Sequence, residues 1–258
     1  VIFGIKSHGS KEDIFYRGMN LLERVGLSNS CEKYPHTLSG GEQQRVALVR
    51  AIAPKPKVLL MDEPFSGLDN RLRDDIRDQT LSLLKEEQTA VLLVTHEPAE
   101  AMRMADTIAL MHDGVILQEG APYNIYNKPV DARVASFFSD VNIIRGVVKQ
   151  SRIDTSFGWF ITPGIEEGTS VQILIRPQHL KIDFDRKGKG PFPTSEDGVP
   201  ARGFVARARF VGNESLIELR MSADSSILKA TVPGVFLPSK DTPLWLSMRR
   251  DRCFVFKI

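Results

Sequence analysis

The sequence predicts a mostly parallel α/β domain followed by a small all-β barrel or sandwich. Three observations predict it. Helical and strand periods alternate up to about residue 138, and helical periodicity then gives way to short strands. The charge balance changes at the same place: residues 1–138 hold 16 Lys and Arg against 19 Asp and Glu, a balance of −3, and residues 139–258 hold 18 against 13, a balance of +5. With 258 residues, 42% hydrophobic and 26% charged, the chain can bury a real core and is neither disordered nor fibrous. Two domains are expected, 1–139 and 140–258.

In the first domain, Ile14, Phe15, Leu21, Leu22 and Val25 recur at helical spacing from Lys11 onward, and Gly26 stops that helix. A second helix is expected from about Gly41 to Ile52, entered through Ser39 and Gly40 and followed by Pro54 and Pro56. Val58 to Met61 and Ala90 to Val94 read as short, fully buried strands. Between them Leu72, Ile76, Leu83 and Leu84 give an apolar face to a helix over about Asn70 to Glu86. Pro98 opens the next helix. Asp113-Gly114 between Ile108–Met111 and Val115–Gln118 marks a tight hairpin.

In the second domain the expected strands are Ile143–Lys149, Val171–Ile175, Gly203–Val211, Ser215–Met221, Ile227–Val232, Leu244–Met248 and Cys253–Ile258. Turn residues separate them. In the third of these strands Phe204, Ala206, Ala208 and Phe210 alternate with Val205, Arg207, Arg209 and Val211, as inside against outside. Asp185 to Pro200 mixes glycine, proline and charge and reads as a surface loop.

Several function classes are excluded early. The longest apolar runs fall far short of the roughly 20 residues that span a bilayer. Val1 to Ile5 has neither the basic region nor the cleavage site of a signal peptide, so a soluble chain is expected. Cys31 and Cys253 form no disulfide framework, which suits a reducing compartment, and Cys31 with His36 fits no metal-ligand spacing. An exposed set of Phe204, Arg207, Arg209 and Phe210 could stack single-stranded bases, but plain barrel alternation explains it more simply, so no nucleic-acid partner is expected.

The chemistry lies in the first domain. Leu38-Ser39-Gly40-Gly41-Glu42-Gln43-Gln44-Arg45 sets a hydroxyl and two glycines before a helix, where free N–H groups and the helix dipole attract anions. Val58 to Met61 runs into Asp62-Glu63-Pro64, two carboxylates at the carboxyl end of a strand in a parallel sheet. There Asp62 could serve Mg²⁺, and Glu63 could polarise an attacking water. Ser66-Gly67-Leu68-Asp69 follows directly, and Thr95-His96 ends the next strand, where His96 could reach a phosphate beside Glu63.

These four elements, in this order, resemble the ATP-binding subunit of ABC transporters. Leu38–Arg45 looks like the family's signature motif, Val58–Pro64 like its Walker B strand and Ser66–Asp69 like its D-loop. His96 falls where the family has its switch histidine. The resemblance implies ATP and Mg²⁺ as cofactors, with Ser39, Gly40, Gly41, Glu42 and Asp69 on the nucleotide side. It implies that Ser39 and Gly41 contact the γ-phosphate of ATP held by an opposing subunit, and that Asp69 works across the dimer. Glu63 would be the general base and Asp62 the metal-side carboxylate. Residues from about Asn142 resemble the OB-like TOBE domain of prokaryotic importers, on Ile175-Arg176-Pro177 and Phe210-Val211-Gly212.

The implied assembly is a homodimer of ATPase subunits with two transmembrane permease subunits, served indirectly by an external solute-binding protein. It would sit on the cytoplasmic face of the membrane. Asp62 to Asp69 and the stretch from Phe137-Phe138 to Asn142 are most similar to the ferric-iron branch, with polyamine, phosphonate and sulfate importers as alternatives. A non-transport ABC ATPase and a regulatory barrel with a relic ATPase half are the rival readings. The family's P-loop, G-x-x-x-x-G-K-[ST], does not occur in the sequence, and Lys187-Gly188-Lys189-Gly190 follows no buried strand. The Gln of the family's Q-loop is also missing, and the first residue is Val. A chain that begins inside the ATPase domain is therefore expected, binding ATP weakly and hydrolysing none by itself.

Overall fold

The computed structural model describes residues 1–2, 5, 10–68, 70–184 and 199–258. Asp69, Lys187–Gly190 and most of the loop from Asp185 to Pro200 lie outside them. The chain divides into two compact units, Val1–Ile108 and Ala109–Ile258.

The first unit begins with helix α1 (Lys11–Arg24). Its N-cap Ser10 accepts a hydrogen bond from the Asp13 N–H, and the Asp13 carboxylate accepts one from the Ser10 N–H, a closed capping box. Gly26, at φ +68°, ends the helix in the left-handed turn that glycine adopts most easily. Helix α2 (Gly40–Ile52), strand β1 (Val58–Asp62), helix α3 (Asn70–Glu86), strand β2 (Ala90–Val94) and helix α4 (Pro98–Met104) follow in the expected order. Strands β1 and β2 pair in parallel, with Val58 opposite Ala90 and Asp62 opposite Val94. Leu21, Val49, Ile52, Phe65, Ile76, Leu83 and Leu84 form the helix side of the core.

The expectation of two fully buried strands is not met. Leu59 and Met61 face the core, whereas Val58 is 62% exposed, Leu60 71% and Leu92 61%. Among the described residues the helices cover one face of this sheet only. An apolar run looks alike in sequence whether one face is covered or two.

In the second unit, Asp113 (φ +49°) and Gly114 (φ +77°) turn the hairpin between β3 (Ile108–His112) and β4 (Val115–Gly120). Two short helices follow, α5 (Pro122–Asn127) and α6 (Ala132–Phe137), the latter capped by Asp131. Two antiparallel sheets then share one core. One has the order β14 (Phe254–Lys257), β8 (Ser170–Ile175), β5 (Asn142–Val147). The other has the order β12 (Ile227–Pro233), β11 (Glu214–Met221), β10 (Ala201–Phe210), β13 (Pro243–Met248), β9 (Leu180–Phe184). Val171, Ile173, Val205, Ile217, Leu219, Leu244 and Leu246 fill the space they enclose. This curled antiparallel half-barrel meets the expectation of a small barrel or sandwich from the strands, and it is consistent with the OB-like fold that the resemblance implies.

A further hairpin, β6 (Arg152–Thr155) with β7 (Gly158–Ile161), adds Ile153 and Phe160 to the core. Ile153 packs so closely on Gly146 that a Cβ there would lie 2.3 Å from its Cγ2. The expected alternation in β10 fails halfway. The pairing with β11 slips between Val205 and Arg207, a β-bulge that resets the pleat. Ala201, Gly203 and Val205 therefore point inward, while Phe204 is only half-buried and Phe210 is exposed.

Candidate functional site

The parallel register of β1 and β2 brings Glu63 and His96 together. Each follows the last residue of its strand closely, and the Glu63 N–H continues the ladder by donating to the Val94 carbonyl at 2.9 Å. The Glu63 carboxylate then accepts two hydrogen bonds from one residue: Oε1 lies 3.0 Å from the His96 backbone nitrogen and 2.6 Å from its Nδ1. The His96 ring is otherwise open to solvent, 74% exposed. The hydrogen bond and charge of Glu63 hold the imidazole above its ordinary pKa.

The backbone of Glu63 is held as well. Its φ of +49° is a left-handed conformation that costs a non-glycine residue about 1–2 kcal/mol. Three contacts on its carbonyl support that conformation: Nε2 of Gln44 at 3.1 Å, the Ser66 hydroxyl at 3.1 Å and the Ser66 N–H at 3.4 Å. Gln44 is on α2, so the helix that begins with Ser39 fixes the strand end that carries Glu63. Gly67 permits this approach, because a Cβ there would lie 2.9 Å from Gln44 Oε1.

Ser39 is the N-cap of α2, as expected. Its N–H donates to the Glu42 carboxylate at 2.8 Å, and the Glu42 N–H donates to its hydroxyl at 3.3 Å. These bonds from Ser39 hold the exposed Glu42 carboxyl below the usual carboxylate range. Gly40 faces open space, and a Cβ on Gly41 would meet Leu68 Cδ2 at 3.3 Å. Gly40 thus leaves the first turn of α2 bare on one side, where an anion could approach, while Gly41 makes room for Leu68. Asp62 closes β1 with an exposed carboxylate.

Among the described residues no group of three or more His, Cys, Asp or Glu could hold a metal ion. Asp62, whose carboxylate is exposed at the end of β1, could share an Mg²⁺ ion with phosphate oxygens and water, because that ion is commonly bound through one or two carboxylates. Of the residues singled out from the sequence, the structure joins Glu63 to His96 and Ser39 to Glu42, and it sets Gly41 beside Leu68.

Sequence reasoning named Gln44 only as part of the signature string and missed its hold on Glu63, and it missed a group of charges behind His96. Arg73 and Arg77 of α3 grip the Glu97 carboxylate at 2.6 Å each, and Arg77 lies 3.5 Å from the buried Glu100. Arg77 holds the Glu97 carboxyl below the usual range. Charged positions on an amphipathic helix read as a solvated face, so no signal in the sequence marked them.

Comparison with known proteins bears on both ends of the chain. The ABC transporter family matches residues 9–66 and the TOBE domain residues 173–256. A sulfate/thiosulfate import ATP-binding protein of Halalkalibacterium halodurans is 34% identical over 227 residues, 87% of this chain and 61% of that protein. An Fe(3+) ions import ATP-binding protein of Serratia marcescens is 33% identical over 228 residues, 88% of this chain and 63% of its own. A spermidine/putrescine import ATP-binding protein of Pseudomonas fluorescens is 32% identical over 239 residues, 88% of this chain and 63% of its own. The chain spans about three fifths of the length of these curated relatives.

Proposed function

On the premise that this chain belongs to the ABC transporter family and carries a TOBE domain, we propose that it is the ATP-hydrolysing subunit of an import complex. The observation that carries this reading is the Glu63–His96 pair, 2.6 Å apart at the carboxyl ends of two parallel strands. A carboxylate held there by its backbone and by an imidazole is placed to take a proton from a water attacking a phosphate. His96, open to solvent on its other side, can donate to a phosphate oxygen. Asp62 would hold Mg²⁺, which when bound neutralises charge on the phosphates. Ser39 and Gly41, at the bare first turn of α2, supply N–H and hydroxyl donors to a γ-phosphate presented by a second copy.

In this reading two copies pair into composite sites, and Asp69 works across the pair. Two permease subunits receive the resulting motion at the cytoplasmic face of a membrane. No helix among the described residues is long and apolar enough to cross a bilayer, which suits a subunit that drives a permease. The domain bounds 1–139 and 140–258 are part of the proposal. Ferric iron is the proposed cargo, on the similarity of Asp62 to Asp69 and of Phe137-Phe138 to the ferric-iron branch.

The test joins this chain to a P-loop segment and measures ATP hydrolysis. Glu63→Gln is expected to lower turnover by about 10²–10⁴-fold and to trap an ATP-bound dimer. Unchanged turnover in that variant overturns the reading. Uptake of radiolabelled ferric iron, sulfate and putrescine in cells lacking the gene decides the cargo, and normal iron uptake there overturns iron.

A further inference from the structure

Glu63 is fixed by its own strand and by Gln44, but His96 sits on an exposed turn, and its position needs a separate cause. The residues on either side of it supply one. Thr95, just before it, donates its hydroxyl to the Glu100 carboxylate and accepts the Glu97 N–H on the same oxygen at 3.0 Å. Glu97, just after it, is gripped by Arg73 through one carboxylate oxygen and by Arg77 through the other. Arg73 also donates to the Leu68 carbonyl at 2.9 Å, on the loop that follows Glu63. One helix, α3, therefore ties the loop of Glu63 to the turn of His96.

The cost of this arrangement marks it as more than surface decoration. Arg77 is 5% exposed and Glu100 2%, and Arg77 stands over the Phe65 ring at 5.8 Å. Arg77 Nε and Glu100 Oε1 have no hydrogen-bond partner, although they face each other at 3.5 Å. A buried charge pair of such imperfect geometry adds little net stability over an apolar pair of the same size. What it does is hold a backbone segment in one place.

We infer that Arg73 and Arg77, acting through Glu97 and Glu100, are positioning residues that hold the turn carrying His96 so that its imidazole meets the Glu63 carboxylate. None of the four is hydrogen-bonded to the His96 ring or the Glu63 carboxylate; each holds the segment on one side of His96, and the charges of Glu97 and Glu100 also favour its protonated ring. The inference rests on the reading of Glu63 and His96 as the functional pair. Its test reads the hydrogen bond rather than ATP hydrolysis, so the two can fail separately.

The 258-residue chain is labelled with ¹⁵N-histidine, and the His96 signals are assigned through His96→Gln. In the unmodified chain the Nδ1 proton of His96 is expected downfield and protected from solvent exchange. Glu63→Gln, which weakens its acceptor, provides the reference for a released ring. In Arg77→Met and in Glu97→Gln the protected proton is expected to disappear and the ring signals to move to the reference position, with circular dichroism unchanged. Should Arg77→Met fail to fold, Arg73→Gln and Glu97→Gln carry the test, because both sites are partly solvated. The inference is overturned if folded Glu97→Gln and Arg73→Gln keep the protected His96 proton. It is also overturned if the unmodified chain already shows the released ring.

Discussion

The two units solve the same problem to different degrees. In the C-terminal unit, two sheets turn their apolar faces toward one another, so Ile173, Leu174, Ile217, Leu219 and Leu246 are wholly removed from solvent. In the N-terminal unit one sheet packs against helices on a single side, and Val58, Leu60, Leu92 and Val94 stay more than half exposed. A half-barrel completes its core from its own strands. A parallel pair has two faces to cover, and here the described helices of the unit cover one. The difference teaches that the second unit closes its core with its own strands, while the described residues of the first leave one sheet face open.

The sharpest test of that contrast compares deletions in the two sheets. Leu219→Ala, in the sealed core, is expected to cost about 2–5 kcal/mol in urea denaturation. Leu60→Ser, on the bare face, is expected to change stability by less than about 0.5 kcal/mol. Equal costs would break the comparison, since Leu60 would then be covered in solution. Next come the caps. Ser39→Ala in the first unit and Asp131→Ala in the second each remove an N-cap hydrogen bond and should cost about 1 kcal/mol, measured by thermal melting. A much smaller loss at Ser39 would mean that α2 is held by Gln44 rather than by its cap.

The two units should also answer pH in opposite senses. His96 is held above the ordinary imidazole value of about 6.5 by Glu63. Its contribution is fully present below that value and is lost as pH rises through the raised pKa. His179, half-buried in the second unit, is pushed down by burial and then by Arg176, Arg252 and Arg249. The unfolded chain therefore takes up that proton first, and the half-barrel loses stability as pH falls below the ordinary value. Titration of the ring signals by NMR checks both directions.

The smallest effect concerns the thiols. Cys31 is exposed, whereas burial pushes the Cys253 thiol up to about 12. One thiol per folded chain should react with a disulfide reagent at pH 8, and two after unfolding. Rapid reaction of both would show that the second core is not sealed.

What was legible in the sequence was what repeats locally. The spacing of Ile76, Leu83 and Leu84 marked α3 to its observed ends, and Asp113-Gly114 marked the hairpin. Glu63 and His96 were found because each closely follows a strand, and strand ends in a parallel sheet lie side by side. The hairpin of β6 and β7 was missed because four-residue strands carrying Arg152 and Asp154 show too short a pattern. The bulge in β10 has no local mark, and it undid the assignment of Phe204 to the interior. The contact of Gln44 with Glu63 and the roles of Arg73, Arg77, Glu97 and Glu100 stayed hidden for the same physical reason. Each is a polar residue whose partner lies far along the chain, and only the folded contact tells it from a solvated side chain.

Arg176 is buried, with its guanidinium 3.5 Å from the centre of the Tyr126 ring, 2.8 Å from the Ser139 hydroxyl and 2.8 Å from the Tyr126 carbonyl. These uncharged partners, from α5 and the segment before β5, clasp a cation by dipoles and ring electrons. Mobile ions have little purchase on such a clasp, whereas they weaken exposed pairs such as Arg24 with Glu86. Brine should loosen the rim of the first unit and leave the belt around the half-barrel fastened.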